Sequence, residues 1–304
     1  MVLGAGSASG QKYPNKPIRM VTAEIGGGAD FTTRLVALGL TGSLGRQVIV
    51  DNRGIAAMEI VANAPPDGYT LISYGSPMWL APFTRERVAW DPVKDFAPIT
   101  LATNTPNILV VHPSVPAKSV QELVALAKAR PGTLNYAAGS PGATSHLGAE
   151  SFKSMAGIDI VRVSYKGNGP ALNAVLANEV QMMFANVAIV TPLIKAGRLK
   201  GLAITALQPS ALAPGVPTVA SAGLPGFELV TSISVFAPAG TPAAIIKFLN
   251  DEIVRVLHKP DIKEKFFNSG IEVAGGTSAD LAATVKSEMA QYGKIIKDAG
   301  IRAD

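Results

Sequence analysis

Short apolar runs alternate with longer stretches of helical periodicity along most of the chain. The run at residues 18–23 is typical of a buried strand, and Phe31, Leu35 and Leu38 then recur at helix spacing. Further strands are predicted at residues 47–50, 69–74, 99–111, 134–138, 160–163, 181–184, 199–205 and 230–237, with helices between them. This alternation predicts an α/β fold with mostly parallel sheets.

Two glycine-rich loops each follow a predicted strand and begin a predicted helix. The first carries Gly26, Gly27, Gly28, Ala29 and Asp30, and the second carries Ser140, Ala143, Thr144 and Ser145. Glycine lets backbone N–H groups approach a guest closely. The first N–H groups of a helix lack internal partners and lie at the positive end of its dipole, where anions bind. A second interpretation stays open, in which the first loop is a plain connection and Asp30 caps the helix.

The two loops lie far apart in the chain, which predicts one in each of two domains that face a shared cleft. Ser76 and Trp79 lie in a loop after the third strand, and Asn186 follows a later strand. Trp79 either offers the cleft a flat apolar wall or packs beneath the loop. Asn186 is a further candidate for the cleft, whereas His146 is interpreted as a packing or hydrogen-bonding residue.

The amino-acid composition excludes several classes of protein. The 304 residues suffice for two domains or one large one, and 16% charged with 48% hydrophobic residues excludes a disordered chain. The net charge of +5 comes from scattered residues, so no nucleic-acid partner is predicted. The lack of cysteine excludes disulfides, thiolate metal sites and thiol nucleophiles. No apolar run approaches the roughly 20 residues that span a bilayer, and we interpret residues 1–12 as a leader outside the fold.

Catalytic patterns are weak in this sequence. Ser145 and His146 are adjacent, so on a helix their side chains point away from each other. No G-x-S-x-G motif occurs, and the three histidines, at 112, 146 and 258, lack metal-ligand spacing. We therefore predict no enzyme activity, no metal and no cofactor; a carboxylate-processing enzyme is the alternative.

Five segments carry a family resemblance. They are YPNKPIR at 13–19, APPDGYTL at 64–71, DPVKDFAPI at 91–99, VSYKG with PAL at 163–172, and IKAGRL at 194–199. In this order they resemble the Bug-type proteins, which are periplasmic solute-binding components of tripartite tricarboxylate transporters. The resemblance extends over nearly the whole chain after Tyr13.

The resemblance implies a two-domain, type II periplasmic-binding-protein (flytrap) fold with a hinged cleft. With the extended runs near 109–112 and 231–236 as crossings, domain 1 is expected at 13–111 and 236–304, and domain 2 at 112–235. It also implies a monomer in the periplasm that delivers a small organic carboxylate to the membrane components of such a transporter. The alternative is a carboxylate sensor for a signalling partner.

Two departures from the family pattern concern the ligand. The segment at 52–59 is shorter and less glycine-rich than its family counterpart, so the cleft rim is expected to differ. Ala185 stands where the family often has an aspartate, and a cleft without that acid suits an ammonium group poorly. We therefore predict a dicarboxylate or an aromatic carboxylate rather than an amino acid.

Overall fold

The computed structural model describes residues 13–139 and 141–302, which form an α/β, two-domain fold. The strands of these residues are β1 (Ile18–Thr22), β2 (Val48–Asn52), β3 (Thr70–Gly75), β4 (Phe96–Val111), β5 (Asn135–Ala138), β6 (Val161–Ser164), β7 (Met182–Asn186), β8 (Lys200–Ile204), β9 (Val230–Pro238) and β10 (Glu272–Val273). The helices are α1 (Gly28–Leu44), α2 (Ala56–Ala62), α3 (Pro77–Thr84), α4 (Val120–Ala129), α5 (Thr144–Ala156), α6 (Asn168–Leu176), α7 (Val187–Lys195), α8 (Ala243–Leu257), α9 (Pro260–Asn268) and α10 (Ser278–Asp298).

The first sheet has the strand order β2-β1-β3-β9-β4, with β10 on the edge of β4 that faces away from β9. Strands β2, β1 and β3 run parallel, whereas β9 runs antiparallel to both β3 and β4. The second sheet pairs β4 with β8 and β7 in antiparallel fashion and continues through the parallel strands β5 and β6.

The prediction of mostly parallel sheets was therefore wrong, although the α/β class is confirmed. Both sheets are mixed because β9 runs against the parallel strands of the first sheet and β4 runs against the strands of the second. Strand β4 belongs to both sheets: residues 96–106 pair with β9, and residues 107–111 pair with β7 and β8. The chain thus passes from one sheet to the other without a break in strand pairing.

Thr205 ties the two crossing segments together where β4 changes partners. The backbone N–H of Asn107 donates to Thr205 Oγ1 at 2.8 Å, and the backbone N–H of Leu229 donates to the Thr205 carbonyl at 2.9 Å. Thr205 is fully buried, so these hydrogen bonds are shielded from water. They fix the spacing of the two crossing strands.

One apolar core extends along one face of both sheets. It includes Trp79 and Phe236 beside the first sheet and Phe184 and Phe227 beside the second. Helix α10 adds its apolar side to this core and packs against both α3 and α5. Among the described residues, none of the helices combines the length and the apolar character needed to cross a membrane.

Candidate functional site

A cavity of about 290 Å³ lies between the two sheets, where loops from both of them meet. We call it the cleft cavity. Its wall is formed by segments after β1 and β3 of the first sheet, by the start of α5 beside the second sheet, by the crossing strand β9 and by α10. The described lining residues are Ala23, Gly27, Gly28, Ala29, Tyr74, Gly75, Ser76, Pro77, Leu80, Gly142, Ala143, Thr144, Leu147, Leu229, Val230, Thr231, Ser232, Ile233, Glu288 and Tyr292.

Three helices begin at this cavity, and none of them has a side-chain cap. The cap residues are Gly27 for α1, Ser76 for α3 and Ala143 for α5, and no side chain at these positions accepts a hydrogen bond from its helix. The first N–H groups of α1 and α5 therefore remain free for a guest. Helix α3 offers fewer donors because its first residue is Pro77.

Asp30 orders the first loop from inside the first turn of α1. Its carboxylate accepts hydrogen bonds from the Gly26 backbone N–H at 3.0 Å and from Asn52 Nδ2 at 2.9 Å, and it pairs with Arg34 Nε at 2.9 Å. Burial works against ionisation, but these partners outweigh it and hold the pKa of Asp30 below its ordinary value. The helix cap itself is Gly27, so Asp30 supports the loop and does not cap the helix.

The second loop is held by two buried side chains of α5. Ser145 Oγ accepts from the Gly139 backbone N–H at 3.0 Å and donates to Asn168 Oδ1 at 2.8 Å. His146 Nδ1 accepts from the Gly142 backbone N–H at 3.3 Å. Burial, with a smaller effect of Arg162, lowers the pKa of His146 to about 4, so the ring is neutral at physiological pH.

Hydroxyl groups supply further polar atoms to the cleft cavity. Thr144 Oγ1 at the start of α5 lies 3.4 Å from Thr231 Oγ1 on β9. Ser232 lines the same wall, but its hydroxyl donates to Asn104 Oδ1 at 2.8 Å. Ser76 adds a hydroxyl from the segment after β3. The cavity thus offers backbone N–H groups and hydroxyls, and its described lining contains no Lys, Arg or His.

The predicted site residues divide into those that line the cleft cavity and those that lie outside it. Gly27, Gly28, Ala29, Ser76, Ala143 and Thr144 line it. Gly26, Asp30, Trp79, Ser145 and Asn186 do not, and Ser140 lies outside the described residues. Gly26, Asp30 and Ser145 belong to the hydrogen bonds that order the two loops.

The structure corrects the placement of two predicted residues. Trp79 lies in helix α3, not in a loop, and its fully buried ring stands behind the cavity wall against Phe236. Asn186 ends β7 and caps α7, where its Oδ1 accepts from the Ala188 backbone N–H at 2.9 Å.

Two residues of α10, Glu288 and Tyr292, line the cavity but were not predicted. Glu288 Oε2 accepts from Trp79 Nε1 at 2.8 Å, and the Tyr292 hydroxyl donates to the Glu228 carbonyl at 2.6 Å. Burial, with the nearby Glu228, raises the pKa of Glu288 to about 7 against the opposing effect of Trp79. Ala185, in contrast, is buried in β7 and does not line the cavity. The absence of an aspartate at this position therefore says little about the charge in the cavity.

Comparison with known proteins identifies the family. The model of the tripartite tricarboxylate transporter family receptor matches residues 32–301. The chain belongs to this family. Its members are periplasmic binding proteins that serve transporters as receptors and are not enzymes. The predicted family, the flytrap fold and the prediction of a binding protein instead of an enzyme are thereby confirmed.

Individual proteins are similar to this chain along almost its whole length. A UPF0065 protein in the tcbD-tcbE intergenic region of Pseudomonas sp. (strain P51) is 35% identical, with 96% of this chain and 89% of the relative covered. An R. palustris protein solved with adipate is 33% identical at a TM-score of 0.76, covering 95% and 99% of the two chains. MatC from Rhodopseudomonas palustris, solved with bound malate, is 29% identical at a TM-score of 0.71. The match covers 93% of this chain and 100% of MatC.

Proposed function

We propose that this receptor-family chain captures a small dicarboxylate in the cleft cavity. In this proposal it works in the periplasm as a monomer and delivers the ligand to the membrane components of a tripartite tricarboxylate transporter. The observation that carries the proposal is the pair of uncapped helix starts, α1 and α5, which meet at one cavity from two sheets. Such helix ends stabilise a carboxylate without a basic side chain.

Within this proposal we favour an aliphatic dicarboxylate over an aromatic carboxylate. The aromatic alternative depended on the Trp79 ring, which lies behind the wall. A volume of about 290 Å³ is just below the range of roughly 300–1,000 Å³ for small-molecule sites, so the ligand is small. The two R. palustris structures contain adipate and malate, both aliphatic dicarboxylates.

A ligand panel tests the proposed function directly. Adipate, malate, citrate, terephthalate, benzoate and aspartate are added separately to the full chain, and the melting temperature and binding isotherm are measured. A ligand at 100 times its Kd stabilises the native state by about 2.7 kcal/mol, so a true ligand raises the melting temperature clearly. If none of the carboxylates raises the melting temperature or gives a binding isotherm, the proposal is overturned.

Gly28→Ala is expected to weaken dicarboxylate binding by about 10- to 150-fold. Gly28 is the first residue of α1 and lines the cavity, and a Cβ there meets no protein atom within 4 Å. The fold therefore accepts the methyl group, which obstructs the approach of the ligand to the helix N–H groups. Loss of a hydrogen bond to a charged acceptor costs about 1.5–3 kcal/mol, which calorimetry reads as this change in Kd.

Gly42→Ala is the matched control for this variant. Gly42 lies on the same helix, and a Cβ there also meets nothing within 4 Å, but it does not line the cavity. The control should keep wild-type affinity and gain about 0.5–1 kcal/mol of stability from the better helix propensity of alanine. Equal affinities of the two variants would show that the start of α1 does not contact the ligand.

Ligand binding is expected to close the cleft about the crossing strands. The proposed domains, 13–111 with 236–304 and 112–235, are supported by the change of partners within β4 at Asn107. A ligand that contacts both helix starts favours the conformation in which the two domains are close. Small-angle scattering should show a smaller radius of gyration at saturation, and an unchanged radius would count against a hinge unless the free protein is already closed.

A further inference from the structure

Glu288 lies in a wall between two cavities. It lines the cleft cavity, and it also lines a second cavity of about 290 Å³ on the other side of β9 and α10. Val230, Ser232 and Tyr292 are shared by both cavities and complete the wall. Glu288 is half-buried. Any ligand that fills the cleft cavity therefore lies close to this acid.

The contacts of Glu288 leave its charge largely uncompensated. Trp79 Nε1 is the only hydrogen-bond donor to its carboxyl group among residues 13–139 and 141–302. The Tyr292 hydroxyl is directed to the Glu228 carbonyl, and Glu228 lines the second cavity as a further acid. Lys286 on the same helix lines a separate apolar groove beside Pro92. No described cation thus balances an ionised Glu288.

The elements packed against α10 supply no such cation either. Helix α3 and strand β4 contain no charged residue, and Tyr74 on β3 adds only a phenol. The titratable groups of α5 and α8 line neither cavity; they are His146, Glu150, Lys153, Lys247, Asp251, Glu252 and Arg255.

A dicarboxylate next to this acid brings like charges together in a poorly solvated space. Like charge raises the pKa of a carboxyl group, as burial and Glu228 do already in the free protein. Because the pKa of Glu288 is raised to about 7, the neutral acid is well populated near neutral pH. An anionic ligand shifts this balance further towards the neutral acid.

We propose that Glu288 is a specificity residue of the cleft cavity: it holds a proton while an anionic ligand is bound, so each molecule whose Glu288 is ionised takes up one proton from solvent when it captures a dicarboxylate. The carboxylate of Glu288 gains the proton, no other covalent bond changes, and the neutral acid becomes a hydrogen-bond donor to the ligand. This inference rests on the proposed function, because it requires an anionic ligand.

The proposal separates two classes of ligand by their response to pH. A dicarboxylate needs the neutral acid, so its affinity falls as the pH rises above about 7, by up to about tenfold per unit. A ligand that directs an ammonium group at Glu288 needs the ionised form and binds more tightly as the pH rises. In this proposal, Glu288 is the acid that decides between an anionic ligand and an ammonium ligand. From the sequence alone, we looked for that acid at the position of Ala185.

Glu288→Gln is the variant that tests whether Glu288 takes up a proton when the ligand binds. The glutamine oxygen can still accept from Trp79 Nε1, and its amide can donate to the ligand at every pH. Calorimetry with adipate and malate is performed from pH 6 to 9, and HEPES is compared with Tris at the alkaline end. Wild-type affinity should fall with pH, and the heat at pH 8.5 should depend on the buffer in proportion to about one proton. The variant should show constant affinity and no buffer dependence. Glu228→Gln should keep the wild-type slope, but the fall in affinity should begin at a lower pH, because Glu228 raises the pKa of Glu288.

A fluorescence titration supplies a readout that needs no ligand. The chain has two tryptophans, so Trp90→Phe leaves Trp79, the hydrogen-bond partner of Glu288, as the sole reporter. Its emission should change with a midpoint near pH 7, and adding Glu288→Gln should abolish the change.

Each outcome decides the matter. Dicarboxylate binding that is flat with pH and buffer, or a Trp79 emission that does not titrate between pH 6 and 9, would overturn the proton uptake and leave the proposed function intact. Tight aspartate binding that strengthens with pH and disappears in Glu288→Gln would assign the acid to an ammonium group instead. If no carboxylate binds at any pH, the proposed function fails and this inference fails with it.

Discussion

Trp79→Ala is expected to lower the free energy of unfolding by about 3–5 kcal/mol, the usual cost of removing a large aromatic side chain from a core. The ring is fully buried, and its centroid lies 6.1 Å from that of Phe236. The substitution leaves a void behind the cleft cavity and removes the donor of Glu288. Urea unfolding followed by circular dichroism measures the change.

Two conservative variants separate packing from hydrogen bonding. Trp79→Phe keeps a ring but no N–H, so it should cost less than the alanine variant and raise the pKa of Glu288 further. Trp90→Phe is the matched control, because Trp90 is half-buried and donates to the Met78 carbonyl at 2.9 Å. An alanine variant at residue 79 within about 1 kcal/mol of wild type would mean that the core beneath the cavity collapses to fill the space.

Acid is expected to destabilise the wild-type protein by up to about 3 kcal/mol through His146 alone between pH 6.5 and 4. The pKa of His146 is about 4 in the folded state, below the value near 6.5 expected of an unfolded chain. The unfolded chain therefore binds more protons in this window. The stability from the neutral ring is complete above about pH 6.5 and is lost as the pH falls towards 4.

His146→Asn removes this titration and keeps an acceptor for the Gly142 backbone N–H. The difference in unfolding free energy between wild type and this variant should shift in favour of the variant as the pH falls from 7 to 4. The exposed His258 provides the control, because His258→Asn should retain the acid sensitivity of the wild type. Parallel curves for wild type and His146→Asn would show that His146 is protonated in the fold without cost.

The two glycine loops could be found from sequence because their signal is local. A strand, a run of small residues and a helix start follow one another within about a dozen positions. Gly27, Gly28 and Thr144 reach the cavity wall as that pattern predicts. The helix at Trp79 was missed because Pro77 and Pro82 interrupt its pattern, although proline is well tolerated at a helix start.

Features that depend on distant pairing could not be found in the same way. The apolar period of α10 predicts that one face packs, but it does not name the neighbour, so Glu288 could not be assigned to the cavity. The direction of β4 and β9 is set by long-range pairing, which carries no local sequence signal.

The cleft cavity collects residues from nearly the whole length of the chain, from Ala23 near its beginning to Tyr292 in its last described helix. A nascent or partly folded chain that lacks α10 has an open wall where Glu288 should stand. Capture of the ligand therefore reports that folding is complete, and its binding energy stabilises the finished molecule as a whole instead of any intermediate. This arrangement keeps incompletely folded copies from competing for solute.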